Sequence, residues 1–289
     1  MKLTNKQNLP GPVYSKVAGE MREKPPGYGL TTLLRPPRMV ALEIKHWYEL
    51  ESDAMDHVWR LFGSAIHQMI DVDDEKTILR EHLLEADVAG VKVRTAVDRL
   101  WKDGPANVLT EFKTTSVWSV IYGKPEWEQQ LNLQGAILNL NGRVADRMEV
   151  IALLRDWSAR DAQYDSQKPQ APVVKIDVDR WTPDRQLGFL AERVGAHQKA
   201  RSALLAEMPL PECTPEERWA KPDTWAVMKA GRKSALRVLP SNAEAETWGQ
   251  NNAGGKFTIE FRPGENTRCE RYCPVSKFCD QFKQLKEAA

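Results

Sequence analysis

The chain lacks a long hydrophobic run. Nowhere in its 289 residues does an apolar stretch approach the roughly 18 residues that a membrane-spanning helix needs. The first residues, MKLTNKQNLPGPVYSK, also lack the apolar centre of a secretory signal. We therefore expect a cytoplasmic protein with no membrane partner.

An excess of charge of one sign is also absent. The chain has 41 Lys and Arg against 40 Asp and Glu, which gives a formal net charge of +1. This balance neither supports nor excludes a nucleic-acid partner, because phosphate binding depends on local basic surfaces. A hydrophobic content of 42% and a charged content of 28% are typical of a globular protein.

Cysteine is scarce and unevenly placed. All four cysteines fall in the last third of the chain: Cys213, Cys269, Cys273 and Cys279. In a cytosolic protein such clustering favours metal binding over disulfides. Four thiolates can hold a tetrahedral zinc ion or a 4Fe-4S cluster, and free buried cysteines are the alternative. A metal there would staple the C-terminal segment to the chain near Cys213.

Composition divides the chain into three zones. Residues 1–35 are rich in Gly, Pro and Lys and predict a lead-in that is either flexible or draped over the domain. Residues 36–208 carry the helix and strand patterns of a large domain. Residues 209–289 form a smaller module with the cysteines, in which the pattern predicts a hairpin over 225–241, a helix over 241–250 and a strand over 256–264.

Hydrophobic periodicity in the large domain predicts helices around a mixed sheet. Residues 36–70 have apolar side chains at helical spacing and predict one long helix. The alternating segments 91–101 and 108–116 predict a hairpin. The remaining predicted elements are a helix over 126–142, strands over 147–158 and 171–181, and a helix from Pro183 with Thr182 as its N-cap. The fold class is therefore α/β or α+β.

Three charged residues stand out in the predicted hairpin. Glu111 and Lys113 are two apart on one strand, so their side chains project from the same face. Asp98 lies on the preceding strand and can reach that face. Two converging carboxylates would bind a hard divalent cation, and a neighbouring ammonium lowers the charge penalty. The alternative is a surface hairpin with a cross-strand pair of Asp98 and Lys113.

Two further polar residues lie in the predicted helices beside this hairpin. His67 follows Gly63 by four residues, so the glycine permits close approach one helical turn before the imidazole. Gln130 lies on the helix after the second strand, where its amide could bond a phosphate or the carboxylate of a ligand. The alternatives are a packed or exposed histidine and a solvated polar helix face.

Taken in chain order, these residues resemble the PD-(D/E)XK nucleases of the RecB-like branch, which includes CRISPR-associated RecB-like exonucleases and many phage and prophage enzymes. The resemblance covers about residues 30–205 and depends on order, spacing and secondary-structure context. One departure is Gln134, because the family usually has a tyrosine four residues after the glutamine. The motif residues are Gly63, His67, Asp98, Glu111, Lys113 and Gln130.

This resemblance implies a restriction-endonuclease-like core and a nuclease dependent on Mg²⁺ or Mn²⁺. By resemblance, the metal ligands are the side chains of His67, Asp98 and Glu111 and the carbonyl of Phe112. Lys113 would position or activate water. Gln130 would orient the site.

The implied activity is hydrolysis of DNA, in particular by an exonuclease of recombination, repair or phage DNA metabolism. The implied partners are single-stranded DNA or a duplex with ends, together with a recombination or helicase protein. The implied location is a bacterial cell or a host cell infected by a phage.

The terminal segment CPVSKFC is similar to the end of RecB-like nucleases that carry a 4Fe-4S cluster. This similarity favours iron–sulfur over zinc at the four cysteines, and zinc stays open. Two alternatives to a nuclease also stay open: a non-catalytic DNA-binding or scaffold protein that keeps the nuclease fold, and a zinc-stapled interaction module. The second would have no tight divalent-ion site at Asp98 and Glu111.

Overall fold

The computed structural model describes residues 1–21, 23, 25, 27–70 and 74–287. These residues form two compact units, Met1–Pro209 and Leu210–Ala289. Among them, no helix combines the length and the apolar character needed to cross a membrane.

The first unit is built on a five-stranded mixed sheet with the strand order β3-β4-β5-β6-β7. The β5–β6 pair is parallel and the other three pairs are antiparallel. A separate two-stranded parallel sheet joins β1 to β2. The strands are β1 (Lys2–Thr4), β2 (Glu51–Asp53), β3 (Thr77–Val88), β4 (Val91–Asp103), β5 (Ala106–Thr115), β6 (Arg147–Leu154) and β7 (Val173–Val178).

Helices flank this sheet, so the predicted class, a mixed central sheet with helices around it, is confirmed. Two short 3-10 helices, Trp47–Glu49 and Ala54–His57, lie on either side of β2. The α-helices are α1 (Gly11–Gly19), α2 (Leu30–Leu33), α3 (Pro37–Lys45), α4 (Val58–Ile70), α5 (Val117–Ile121), α6 (Pro125–Leu140), α7 (Ala159–Tyr164) and α8 (Pro183–Leu205).

The core of this unit lies between the sheet and α6. This helix makes the crossover between the parallel strands β5 and β6, and Leu131, Leu133 and Ile137 on it are fully buried. Apolar residues of β4 to β6 are buried with them. The predicted cap of α8 is confirmed, because the Thr182 hydroxyl accepts the Arg185 N–H at 3.3 Å. The core thus fixes α6 over the strands that carry the predicted site.

The prediction of one helix over residues 36–70 is wrong. The helix α3 ends at Lys45, and α4 begins only at Val58. Between them Asp53 bonds the N–H of Met55 at 3.1 Å and so caps a separate 3-10 turn. A short acidic side chain can compete in this way with the helical backbone pattern.

Of the two alternatives for the lead-in over residues 1–35, the flexible one is wrong for the described parts of β1 and α1. Residues of β1 pair in register with β2, from Lys2 with Glu51 to Thr4 with Asp53. On α1, Val17 is completely buried. Burial of one apolar side chain and strand pairing therefore order a segment whose composition is typical of a loop.

The second unit contains a three-stranded antiparallel sheet with the order β10-β8-β9. The predicted hairpin, helix and strand are confirmed. A π-helical turn at Arg268–Tyr272 and a 3-10 turn at Ser276–Phe278 contain or adjoin the last three cysteines. The other elements are α9 (Pro215–Arg218), β8 (Thr224–Lys229), β9 (Arg237–Leu239), α10 (Asn242–Asn252), β10 (Phe257–Arg262) and α11 (Asp280–Glu287).

Candidate active site and cysteine cluster

The predicted site residues lie where β4 and β5 separate. The last ladder pair of these strands is Arg99 with Thr110. The next positions in register are Asp98 and Glu111, where the Phe112 N–H donates to Asp98 Oδ2 at 2.8 Å. The Asp98 carboxylate thus accepts a hydrogen bond that a backbone carbonyl of the neighbouring strand would accept in a regular ladder. Beyond this point β4 and β5 separate, and we call this part of the hairpin its open end.

Asp98 is an acidic side chain held in a buried position, with 8% of its surface exposed. Burial, followed by the charge of Glu111, raises the pKa of Asp98 from 3.8 to about 7. The Phe112 N–H and the charges of His67 and Lys113 act in the opposite direction. A buried carboxyl of this kind favours a cation that would compensate its negative charge.

His67 brings α4 to the open end of the hairpin. Its Nε2 lies 3.0 Å from the carbonyl oxygen of Phe112, and its Nδ1 lies 3.8 Å from Asp98 Oδ2. In the tautomer with hydrogen on Nε2, the ring donates to Phe112 and presents the Nδ1 lone pair to the carboxylates. The structure therefore brings together three of the four predicted metal ligands.

Glu81 on β3 joins these residues, and the sequence analysis did not identify it. Its Oε1 lies 3.4 Å from His67 Nδ1. Single ligand atoms of His67, Glu81 and Asp98 all lie within 4.8 Å of one another. Glu81 has a φ of 41°, a backbone conformation that is uncommon outside glycine. It stands opposite Asp98 in register, between the ladder pairs Arg80–Arg99 and His82–Val97.

Glu111 is buried beside this group rather than in it. Its Oε1 accepts hydrogen bonds from Lys113 Nζ at 2.5 Å and from Gln130 Nε2 at 2.7 Å. Its Oε2 accepts a hydrogen bond from Gln134 Nε2 at 3.0 Å. Both carboxylate oxygens of Glu111 thus accept hydrogen bonds. The donors are Lys113, two residues further along β5, and Gln130 and Gln134 on α6.

Lys113 and Gln130 complete a closed hydrogen-bonded triangle with Glu111. Lys113 Nζ also donates to Gln130 Oε1 at 3.0 Å. The amide of Gln130 therefore accepts from the ammonium with its oxygen and donates to the carboxylate with its nitrogen. This arrangement fixes the direction of both charged groups.

Gln134 lies on α6, one helical turn after Gln130. It is 1% exposed, and its Nε2 donates both to Glu111 Oε2 and to the carbonyl of Ala96 at 3.0 Å. Gln134 therefore reaches the Glu111 carboxylate from α6. Its spacing of one helical turn after Gln130 is the signal that could have identified it.

A cavity of about 580 Å³ opens beside these side chains. The expected role of Gly63 in close packing is wrong, because a Cβ at this position would meet no atom within 4 Å. Gly63 instead lines open space, one helical turn from His67. The cavity is lined by Arg60, Gly63, Ser64, His67, Gln68, Glu81, Phe112, Lys113 and Thr114.

The side chains at this cavity offer carboxylate and carbonyl oxygens and one imidazole nitrogen, and this set of ligand atoms fits a divalent metal ion. Carboxylate and carbonyl oxygens suit Mg²⁺ and Mn²⁺, and an imidazole suits later transition metals. With Nε2 donating to the Phe112 carbonyl, His67 Nδ1 is the nitrogen available to an ion, 3.4 Å from Glu81 Oε1 and 3.8 Å from Asp98 Oδ2. The residues that would hold the ion are His67, Glu81, Asp98 and the Phe112 carbonyl.

The four cysteines lie in the second unit, and none of these described cysteines forms a disulfide. Gln281 on α11 clamps the Cys213 backbone, because it accepts the Cys213 N–H at 2.9 Å and donates to the Cys213 carbonyl at 3.0 Å. Burial, followed by the charge of Cys279, raises the pKa of the Cys269 thiol. The fold therefore brings the Cys213 segment to the C-terminal segment.

The comparisons with known proteins are sparse. No family model matches the chain, and no curated protein matches it. Among solved structures, the crystal structure of SSO0001 aligns with 70% of this chain and 94% of that chain, at 14% sequence identity and a TM-score of 0.41. This likeness is too distant to bear on function.

Proposed function

We propose that this protein is a metal-dependent DNA nuclease of the PD-(D/E)XK type, similar to the RecB-like branch. One observation carries the proposal: Lys113 and Gln130 hold the Glu111 carboxylate beside a buried Asp98. His67 approaches the same end of the hairpin from α4. A surface hairpin with an incidental ion pair would not need carboxylates that are buried and oriented by amides.

The chemistry of such a site is hydrolysis of a phosphodiester. When bound at His67, Asp98 and Glu81, Mg²⁺ or Mn²⁺ supplies Lewis acidity that polarises a phosphate and lowers the pKa of water. Lys113 supplies a positive charge next to the cavity, where the transition state gains negative charge.

Glu111 and Gln130 act through position. The Glu111 carboxylate accepts the Lys113 ammonium at 2.5 Å and keeps it at the edge of the cavity. Gln130 holds both partners, so the pair stays aligned when a negatively charged phosphate approaches. The carboxylate can also accept a proton from a water that Lys113 orients.

We propose further that the four cysteines hold a 4Fe-4S cluster, with zinc as the alternative. The clustering of the cysteines and the similarity of CPVSKFC to the end of RecB-like nucleases that carry such a cluster support this proposal. Iron and sulfide analysis of anaerobically purified protein tests this assignment. About four irons per chain support it, and zinc without iron overturns it.

The nuclease proposal is tested with linear single- and double-stranded DNA labelled at one end, incubated with Mg²⁺, Mn²⁺ or a chelator. Wild-type protein is compared with Glu111→Ala and Lys113→Ala, and Lys175→Ala on β7 is the matched control for loss of an exposed lysine. We expect cleavage with metal by wild type and control only. Equal cleavage by all four proteins would place the chemistry elsewhere, and no cleavage by folded wild type would favour a binding scaffold.

A further inference from the structure

Four large aromatic side chains are exposed near the cavity of the first unit. Trp59 and Phe62 lie on α4 and expose 58% and 49% of their surfaces. Trp118 and Tyr122 lie on α5 and expose 51% and 78%. Exposed aromatic groups of this size usually mark a binding surface when they cluster.

Chain connections link these side chains to the cavity. Trp59 precedes Arg60 and Phe62 precedes Gly63, and both Arg60 and Gly63 line the cavity. On the other side, β5 leads from the lining residues Lys113 and Thr114 into α5, where Trp118 and Tyr122 each line a further pocket. The aromatic residues therefore lie on the two helices that adjoin the cavity lining along the chain.

Contacts of Arg155 and Asp156, which follow β6, join the two aromatic pairs. The Arg155 N–H donates to the carbonyl of Thr115 at 2.9 Å, and the Arg155 guanidinium lies 4.7 Å from the ring centre of Trp59. The next residue, Asp156, accepts the N–H of Val117 at 2.7 Å, directly before Trp118. One surface thus runs from α4 across the ends of β5 and β6 to α5.

The rings on α5 have the geometry of a stacking surface. Trp118 and Tyr122 are one helical turn apart, with ring centres separated by 5.7 Å and planes inclined by only 15°. On α4, Trp59 and Phe62 meet edge to face at 6.1 Å. Flat, exposed rings of this kind can receive unpaired bases, because every base has a π face.

Cations alternate with these rings. The Arg155 guanidinium lies over Trp59. Lys168 Nζ lies 5.9 Å from the ring centre of Trp118 and also donates to Asp161 Oδ2 at 2.8 Å. Arg60 follows Trp59 on α4 and lines the cavity, and it also donates to the Glu20 carbonyl at 3.3 Å. Positive groups beside exposed aromatic rings complement a nucleic-acid strand, which has negative phosphates and unpaired bases. An apolar protein partner would have no negative groups to pair with these cations.

We propose that Trp59, Phe62, Trp118 and Tyr122 form a stacking platform for single-stranded DNA. Bases of the strand stack on these rings while Arg155 contacts its phosphates, and the backbone continues past Arg60 into the cavity. This inference rests on the proposed nuclease function, and it specifies an unpaired strand as the substrate at that site.

Binding without cleavage tests the platform. Fluorescence anisotropy in chelator, with a labelled oligothymidylate of about 20 nucleotides, gives the Kd for the unpaired strand. The same measurement is made with a duplex and with an RNA of equal length. Wild type is compared with the double variant Trp118→Ala/Tyr122→Ala, its ring-retaining counterpart Trp118→Phe/Tyr122→Phe, and Tyr48→Ala, which removes an aromatic residue that is 85% exposed elsewhere.

We expect the alanine double variant to raise the Kd for single-stranded DNA at least about fivefold, while the phenylalanine variant and Tyr48→Ala stay within about twofold of wild type. Unchanged binding by the alanine variant, an equal loss with duplex, or tighter binding of RNA overturns the proposal. Binding through these rings by a protein that never cleaves DNA would contradict only the nuclease function. Cleavage that is insensitive to the rings would contradict only the platform.

Discussion

Asp98 and Phe112 hold β4 and β5 together at the point where their ladder ends, through a hydrogen bond of 2.8 Å from the Phe112 N–H to Asp98 Oδ2. The same peptide region presents the Phe112 carbonyl to His67 Nε2. One short segment of β5 therefore fixes a carboxylate on one strand and an imidazole on a helix. This relationship gives the candidate site its geometry.

Ion binding is expected to depend on pH through Asp98. Its pKa of about 7 in the folded chain lies above its ordinary 3.8, so the stability of the metal-free protein falls as pH rises through this window. A metal ion binds the deprotonated Asp98 carboxylate, and its positive charge compensates the buried negative charge. His67, Glu81, Glu111 and Lys113 are the charged or titratable groups that face it.

The measurement is the increase in Tm caused by Mn²⁺, compared at about pH 6 and about pH 8. We expect the larger increase at the higher pH, and Asp98→Asn should remove most of the difference. An equal increase at both pH values in wild type would contradict the role given to Asp98.

Glu81 is expected to contribute to metal affinity. Glu81→Gln keeps the shape of the side chain but removes the charge that stands 3.4 Å from His67. We expect the Kd for Mn²⁺, measured by isothermal titration calorimetry, to rise about tenfold or more. Glu192→Gln changes an exposed glutamate on α8 and serves as the control. Wild-type affinity in Glu81→Gln would remove this residue from the ligand set.

Gln134 is expected to position Glu111. Gln134→Leu preserves the approximate size but leaves Glu111 Oε2 and the Ala96 carbonyl without this donor. We expect a loss of about 1–3 kcal/mol in the free energy of unfolding, together with a lower kcat at unchanged KM. Denaturant unfolding and steady-state cleavage measure the two effects.

The control for Gln134 is Gln198→Leu. Gln198 also donates its amide to a carbonyl, that of Ala89 at 2.8 Å, but outside the candidate site. This control should retain wild-type kcat. A Gln134→Leu protein that is destabilised but has full kcat would restrict Gln134 to a structural role.

The buried His197 is expected to make the folded protein less stable at acidic pH. It is 5% exposed on α8, with Nε2 3.1 Å from the carbonyl of Leu33, and burial followed by the charge of Arg193 lowers its pKa to about 4. The unfolded chain binds a proton below its ordinary value of 6.5, whereas the folded chain does not. The free energy of unfolding should therefore fall by up to about 3 kcal/mol between about pH 6.5 and 4.

Denaturant unfolding of wild type and His197→Gln across this pH range isolates the contribution of the histidine. Glutamine keeps an N–H donor without titrating in this range, so the variant should lose less stability as pH falls. Parallel pH profiles for the two proteins would show that His197 does not cause the loss.

Much of the site could be predicted because it follows local rules. The two-residue spacing of Glu111 and Lys113 places them on one strand face, and the structure joins them by a hydrogen bond. The position of Gln130 on the next helix is also confirmed. Thr182 and Pro183 marked the start of α8 for the same reason, since capping depends on a few adjacent residues.

Glu81 and the break between α3 and α4 could not be predicted in this way. Glu81 reaches His67 because β3 has an unusual φ at that position, and periodicity carries no information about a single irregular dihedral. The break depends on pairing between β1 and β2, which are about fifty residues apart in sequence. Such distant pairing overrides the helical spacing of apolar residues.

The central claim, that the open end of the hairpin hydrolyses DNA with a bound metal, is tested most directly by Asp98→Asn. The measurement is the single-turnover rate of cleavage of end-labelled linear DNA over a range of Mn²⁺ concentrations, for wild type and this variant. We predict metal-dependent cleavage by wild type and a rate at least about 100-fold lower in Asp98→Asn at every concentration, with the fold retained. A rate in the folded variant equal to that of wild type would contradict the account.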